Sequence, residues 1–115
     1  MTVASTSLIM KALDALNLRM DYTAQNIANA NTEGYRPFHV SFEERLRAAA
    51  QGSDASLSAF HPDIVVADSA SGNAAPMRLD LELAAASQTS MRYRALVDLL
   101  ARQFSLARDV IAGGR

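Results

Sequence analysis

Three carboxamides, Asn26, Asn29 and Asn31, fall in the stretch QNIANANTEGYRP, residues 25–37. A side-chain amide offers two donors and an acceptor, so the chemistry available here is hydrogen bonding rather than bond making. Asn26 and Asn29 are three residues apart and share one helix face. Asparagine is a poor interior helix former, and two of them on one face suit a role in holding exposed backbone or a neighbouring subunit. Asn31 fits a turn without further explanation. Gly34 is expected at a left-handed C′ position, with Tyr35 folding back as the apolar contact of a Schellman ending. Pro37 then prevents the helix from resuming.

Residue types that could drive a reaction are sparse. His39 and His61 are isolated, and no H-x-x-x-H, paired-carboxylate or nucleophile pattern appears. No catalytic residue, metal ligand or cofactor site is predicted. The tripeptide HPD at 61–63 occurs between helices in J-domain co-chaperones, but there an amphipathic helix follows. Here IVVADSASGN follows, a strand-like run and then loop, so His61 reads as a surface or subunit-contact residue.

The elements that must position the amides are legible as periodicity. Ile9, Leu13, Leu16, Met20, Thr23 and Ile27 alternate by four and three, a heptad seam. It predicts a helix over about 6–31, with Ser5, Thr6 or Ser7 as its cap. Leu79, Leu83, Ala86, Ser90, Tyr93, Val97, Leu100, Phe104, Ala107 and Ile111 keep the same alternation, widened by Leu96, Leu99 and Val110. Gly113 and Gly114 end it. Between the seams, 41–51 predicts a short helix capped by Ser41. Ile64 to Ala67 can form an extended segment, and the remainder of 52–76, rich in Ser, Ala, Asp and Gly, reads as loop.

The expected fold is all-α: long N- and C-terminal helices paired antiparallel as a coiled-coil hairpin, with an irregular middle containing one short helix. The chain divides into 1–34, 35–78 and 79–115. Leu13, Leu16, Met20 and Ile27 are expected to face Val97, Leu100 and Phe104. The second stripe is wider than one helix covers, which points to packing on other subunits.

Composition narrows the partners. Half of the 115 residues are apolar, many of them alanine, with no tryptophan and no cysteine. Alanine favours helix but buries little area, so a thick core is hard to build and the isolated chain is expected to fold weakly. A net charge of −1 with well-mixed signs argues against a nucleic-acid surface. The first residues lack the basic and uninterrupted apolar regions of a cleaved signal.

The motif QNIANANTEGYRP resembles the N-terminal signature of the axial proteins of the bacterial flagellum, the rod and hook family. The stretch 79–114 resembles the end of its proximal-rod branch through Tyr93, Ala95, Leu96, Leu99, Leu100, Phe104, Arg108 and Ile111. Glu33 stands where that family usually has proline. The resemblance implies a structural subunit of the basal-body rod, periplasmic, which transmits torque and encloses the export channel. Its implied partners are copies of itself, other rod proteins, a membrane-ring or export-gate adaptor at the base, and the type III export apparatus in transit. It implies no cofactor, nucleic acid or small-molecule substrate, and export without a cleaved signal. The expected subunit contacts are Asn26, Asn29, Gly34, Tyr35, Tyr93, Leu96, Val97, Leu100, Phe104 and Ile111. Another short rod protein, or an export chaperone or adaptor, is the alternative.

Overall fold

The computed structural model describes residues 3–67 and 77–113. The elements run α1 (Val3–Ala28), β1 (Phe38–Ser41), α2 (Glu43–Gln51), α3 (Asp54–Ser58), β2 (Asp63–Val66) and α4 (Leu79–Gly113). Two long helices dominate, and at 1.5 Å per residue they are about 39 and 52 Å long. The chain is not all-α. β1 and β2 form a two-stranded antiparallel sheet in which His39 faces Val65 and Val40 faces Ile64.

Several helix ends differ from expectation. α1 already includes Val3, so Ser5, Thr6 and Ser7 lie inside it and none is its cap. At its other end the helix stops at Ala28, and the chain unwinds through tight turns. Gly34 is therefore not a C′ residue. It occupies the third position of a turn closed by the Tyr35 N–H on the Thr32 carbonyl at 3.2 Å, and its φ is +78°. Such a turn needs a positive φ there and favours proline one residue earlier, at Glu33. Ser41 ends β1 instead of capping α2. Phe42 precedes that helix without a side-chain cap, and its N–H reaches the Glu43 carboxylate. In the segment read as loop, Ser53 caps α3 by accepting the Ser56 N–H at 3.2 Å. The expected stop at Gly114 lies outside the described residues.

The middle segment is folded because it supplies most of the core. Of the eight buried hydrophobics among the described residues, Val40, Phe42, Leu46, Leu57 and Phe60 come from it, against Ile9, Ala15 and Leu16 of α1. Phe42 and Phe60 replace the bulk that alanine-rich helices cannot provide. Arg19 fastens the arrangement. Its guanidinium donates to the Val40 carbonyl at 2.7 Å, pairs with Glu43 at 2.7 Å and lies 4.6 Å from the centre of the Phe42 ring.

α4 packs on α1 with every second position of the predicted seam offset by one residue. Its buried positions are Glu82, Thr89 and Gln103, joined by half-buried Ala86, Tyr93, Leu96 and Leu100. Val97 and Phe104, expected to face α1, are exposed. The polar contacts of Glu82 and the small size of the neighbouring alanines bring this face inward at the expense of the larger side chains beside it.

Leu57→Ala should remove about 2–5 kcal/mol, a large share of what so thin a core provides. Far-UV circular dichroism in urea would read this as a midpoint moved to much lower denaturant or as loss of the folded baseline. An unchanged midpoint would mean that the middle segment contributes no core.

Candidate functional site

The motif makes a junction between three parts of the chain. Asn26 is fully buried, and its amide has four partners. Its Nδ2 donates to the Phe38 carbonyl at 2.8 Å and to the Glu82 carboxylate at 3.2 Å. Its Oδ1 accepts the Phe38 N–H at 3.0 Å and the Tyr35 hydroxyl at 2.8 Å. One side chain at the end of α1 thus ties down its own exit loop, the start of β1 and the first turn of α4. Glu82 is itself buried, and its second oxygen lies 3.0 Å from His39 Nε2. Tyr35 folds back as expected, but as a hydroxyl donor, with its ring edge-on to Phe38 at 6.4 Å. Burial, assisted by the charge of Glu82, raises the Tyr35 phenol above its ordinary range and keeps it a donor.

Asn29 does something different. Its Nδ2 donates to the Gln25 carbonyl at 2.9 Å, and its Oδ1 accepts the Thr32 hydroxyl at 3.1 Å. Both contacts are local, so within the subunit Asn29 closes its own helix and does not reach α4.

Tyr93 and Leu96 pack against the core, and Leu100 is half-buried on the same side of α4. Val97, Phe104 and Ile111 lie one residue off that seam and stand outside, Phe104 at 57% and Ile111 at 77% exposure. Leu79 and Leu83 continue this flank towards the start of the helix. A second exposed flank, Leu81, Leu99, Leu106 and Val110, runs along the other side of the seam. At 100° per residue the two flanks lie about 160° apart, with the α1 contact between them. From Leu106 to Gly113 every residue is exposed.

Glu82 and His39 were the residues that spacing did not single out as part of this junction. A lone carboxylate on an apolar stripe was the available signal for Glu82. Among the described residues no three potential metal ligands converge.

Residues 9–36 match the family model of the flagella basal body rod protein. That match supports a flagellar rod protein. It covers most of α1, Asn26, the turn through Gly34 and Tyr35, while Phe38 and Glu82, the other partners of the Asn26 amide, lie beyond it. The rod family is structural and not an enzyme family. No curated protein matches the chain.

Asn26→Ala should cost about 3 kcal/mol or more, because it strips partners from the half-buried Phe38 backbone groups and from buried Glu82. Asn29→Ala should cost a few tenths to about 1 kcal/mol, since only a local cap is lost. Chemical denaturation of the two variants separates the roles, and equal losses would refute the distinction.

Acid should act through Glu43. Burial pushes its carboxyl up, but Arg19 and the backbone N–H groups of Phe42 and Glu43 outweigh this and hold it below the usual glutamate range. A carboxyl depressed on folding contributes stability above its unfolded pKa and loses it as pH falls through the folded one. The Arg19–Glu43 contribution should therefore be present at neutral pH and vanish below the ordinary glutamate range. Because Glu43 is 44% exposed, the effect is small. Denaturation midpoints taken between neutral pH and about pH 3 should fall less in Glu43→Gln than in the parent.

Proposed function

We propose that this chain is a structural subunit of the proximal flagellar rod, built into a helical tube through the exposed flanks of α4. The carrying observation is the pair of apolar flanks on either side of the α1 contact. A two-helix unit that ended its packing at α1 would have no use for Leu83, Val97, Phe104 and Ile111 on one side and Leu99, Leu106 and Val110 on the other. Neighbours placed on both sides bury them.

In this reading α1 and α4 run antiparallel as a coiled-coil hairpin. The contact of Asn26, near the end of α1, with Glu82, in the first turn of α4, supports that direction. With those two residues level, α4 outruns the start of α1 by about two turns. The wholly exposed stretch from Leu106 onward is then an overhang available to the next subunit. The neighbours are further copies and other rod proteins, with a membrane-ring or export-gate adaptor at the base. The assembled tube carries motor torque and surrounds the export path in the periplasm, which the subunit reaches through the type III apparatus without a cleaved signal. The resemblance of 79–114 to the proximal-rod branch favours that position within the rod.

Phe104→Asp and Ile111→Asp test the proposal. Both side chains are exposed, so the subunit should keep its helix signal by circular dichroism. Each buries an unpaired carboxylate in the assembly, at a cost of several kcal/mol. Cells carrying either variant should export the subunit, fail to incorporate it into detergent-resistant basal bodies and be non-motile. Normal motility with both variants would rule out this flank as an assembly surface.

A further inference from the structure

The two edges of the small sheet are treated differently. Phe38 offers both its N–H and its C=O to the Asn26 amide, and the Val40 carbonyl goes to Arg19. The side chains of α1 thus occupy the outer edge of β1 as a neighbouring strand would. The Ala67 N–H donates to the Pro37 carbonyl at 2.9 Å, so the residues of β1 that point to β2 are the odd ones. On β2, Asp63 and Val65 therefore face β1, and Ile64 and Val66 point their N–H and C=O outward. Among the described residues nothing takes those four groups. The strand is exposed along its whole length, with Val65 at 51%, and no charge or proline interrupts Ile64, Val65 and Val66. These are the features of an unprotected edge.

We infer that the free edge of β2 pairs with β2 of a second copy of this chain, antiparallel about a two-fold axis at Val65. The pattern is self-complementary. Ile64 of each copy faces Val66 of the other and exchanges both backbone bonds, and the two Val65 residues meet as the close, non-hydrogen-bonded pair between them. The product is a four-stranded sheet with both outer edges closed by Asn26 and Arg19. Pairing of β2 with the other copy's β1 is blocked because β1 is already occupied. Asp63 at one end of β2, paired with Arg45 of its own subunit, comes opposite Ala67 of the other copy, whose carbonyl carries the Arg36 guanidinium, so a carboxylate and a cation meet at each end of the pair. The contact uses no residue of α4, so it stands apart from the rod reading, and being closed it joins two subunits and no more.

The chain has no cysteine, so Val65→Cys introduces a single reporter at the axis. A non-hydrogen-bonded antiparallel pair holds its Cα atoms about 4.5 Å apart, within disulfide range. Purified full-length Val65→Cys should oxidise in air to a disulfide-linked dimer at least tenfold faster than Arg47→Cys, an exposed control on α2. Ile64→Pro removes only an outward N–H, which an edge strand tolerates. In sedimentation it should weaken the parent's dimer at least tenfold while circular dichroism stays unchanged. Val65→Lys, which places two like charges at the axis, should do the same. A parent that sediments as a monomer throughout, a Val65→Cys that links no faster than the control, or a dimer indifferent to both Ile64→Pro and Val65→Lys would overturn the inference.

Discussion

The Asn26 carboxamide has four hydrogen-bonding positions and all four are used, with the side chain itself fully buried. Each partner is a group that would be costly to bury alone: two backbone groups of Phe38, the Tyr35 hydroxyl and the Glu82 carboxylate. The exit loop after α1, the position of β1 and the placement of α4 all follow from it. Gly34 supplies the turn that brings Tyr35 back, and Pro37 and Phe38 then start the sheet alongside α1. The matched residues 9–36 contribute the amide, the turn and Tyr35 to this junction, and Phe38 and Glu82 complete it from outside them. A slip of a single residue in either long helix would leave a carboxylate or an amide unpaired, so the junction fixes register where alanine-rich packing alone would not.

That constraint also accounts for the offset of the α4 seam. Positions Ala86, Tyr93 and Leu100 belong to both the predicted and the observed seam. The other half of the heptad moves from Leu83, Val97 and Phe104 to Glu82, Leu96 and Gln103. Burial of Glu82 against Asn26 turns the helix, and apolar side chains follow to the outside. A helix wheel drawn on hydrophobicity alone counts leucine and phenylalanine as inward, and it has no term for a carboxylate whose partner lies 56 residues away.

The sequence made the long helices, α2 and the extended segment at β2 legible, because each is encoded by local spacing. The local partners of Asn29, Gln25 and Thr32, were not singled out, because its spacing from Asn26 pointed to a shared face instead. Otherwise, what escaped were pairings between distant positions. β1 has no strand-like run of its own and exists because β2 and Asn26 complete its hydrogen bonds. α3 is a single capped turn whose reason for forming is Leu57 in the core. The middle segment looked irregular because its apolar residues are spread singly through polar sequence, and only the tertiary arrangement gathers Phe42, Leu46, Leu57 and Phe60 onto Leu16.

The span of the junction bears on the order in which the molecule can take shape. Tyr35 and Phe38 lie within twelve residues of Asn26, whereas Glu82 lies far downstream. A chain that emerges N-terminus first can close the loop around the amide early, with α1, the sheet and the core in place. One donor must then wait, dressed by water, until the first turn of α4 arrives. The last hydrogen bond is thus a completion signal written into the geometry, and α4, with the exposed apolar flanks it carries, is seated only after α1 and the sheet.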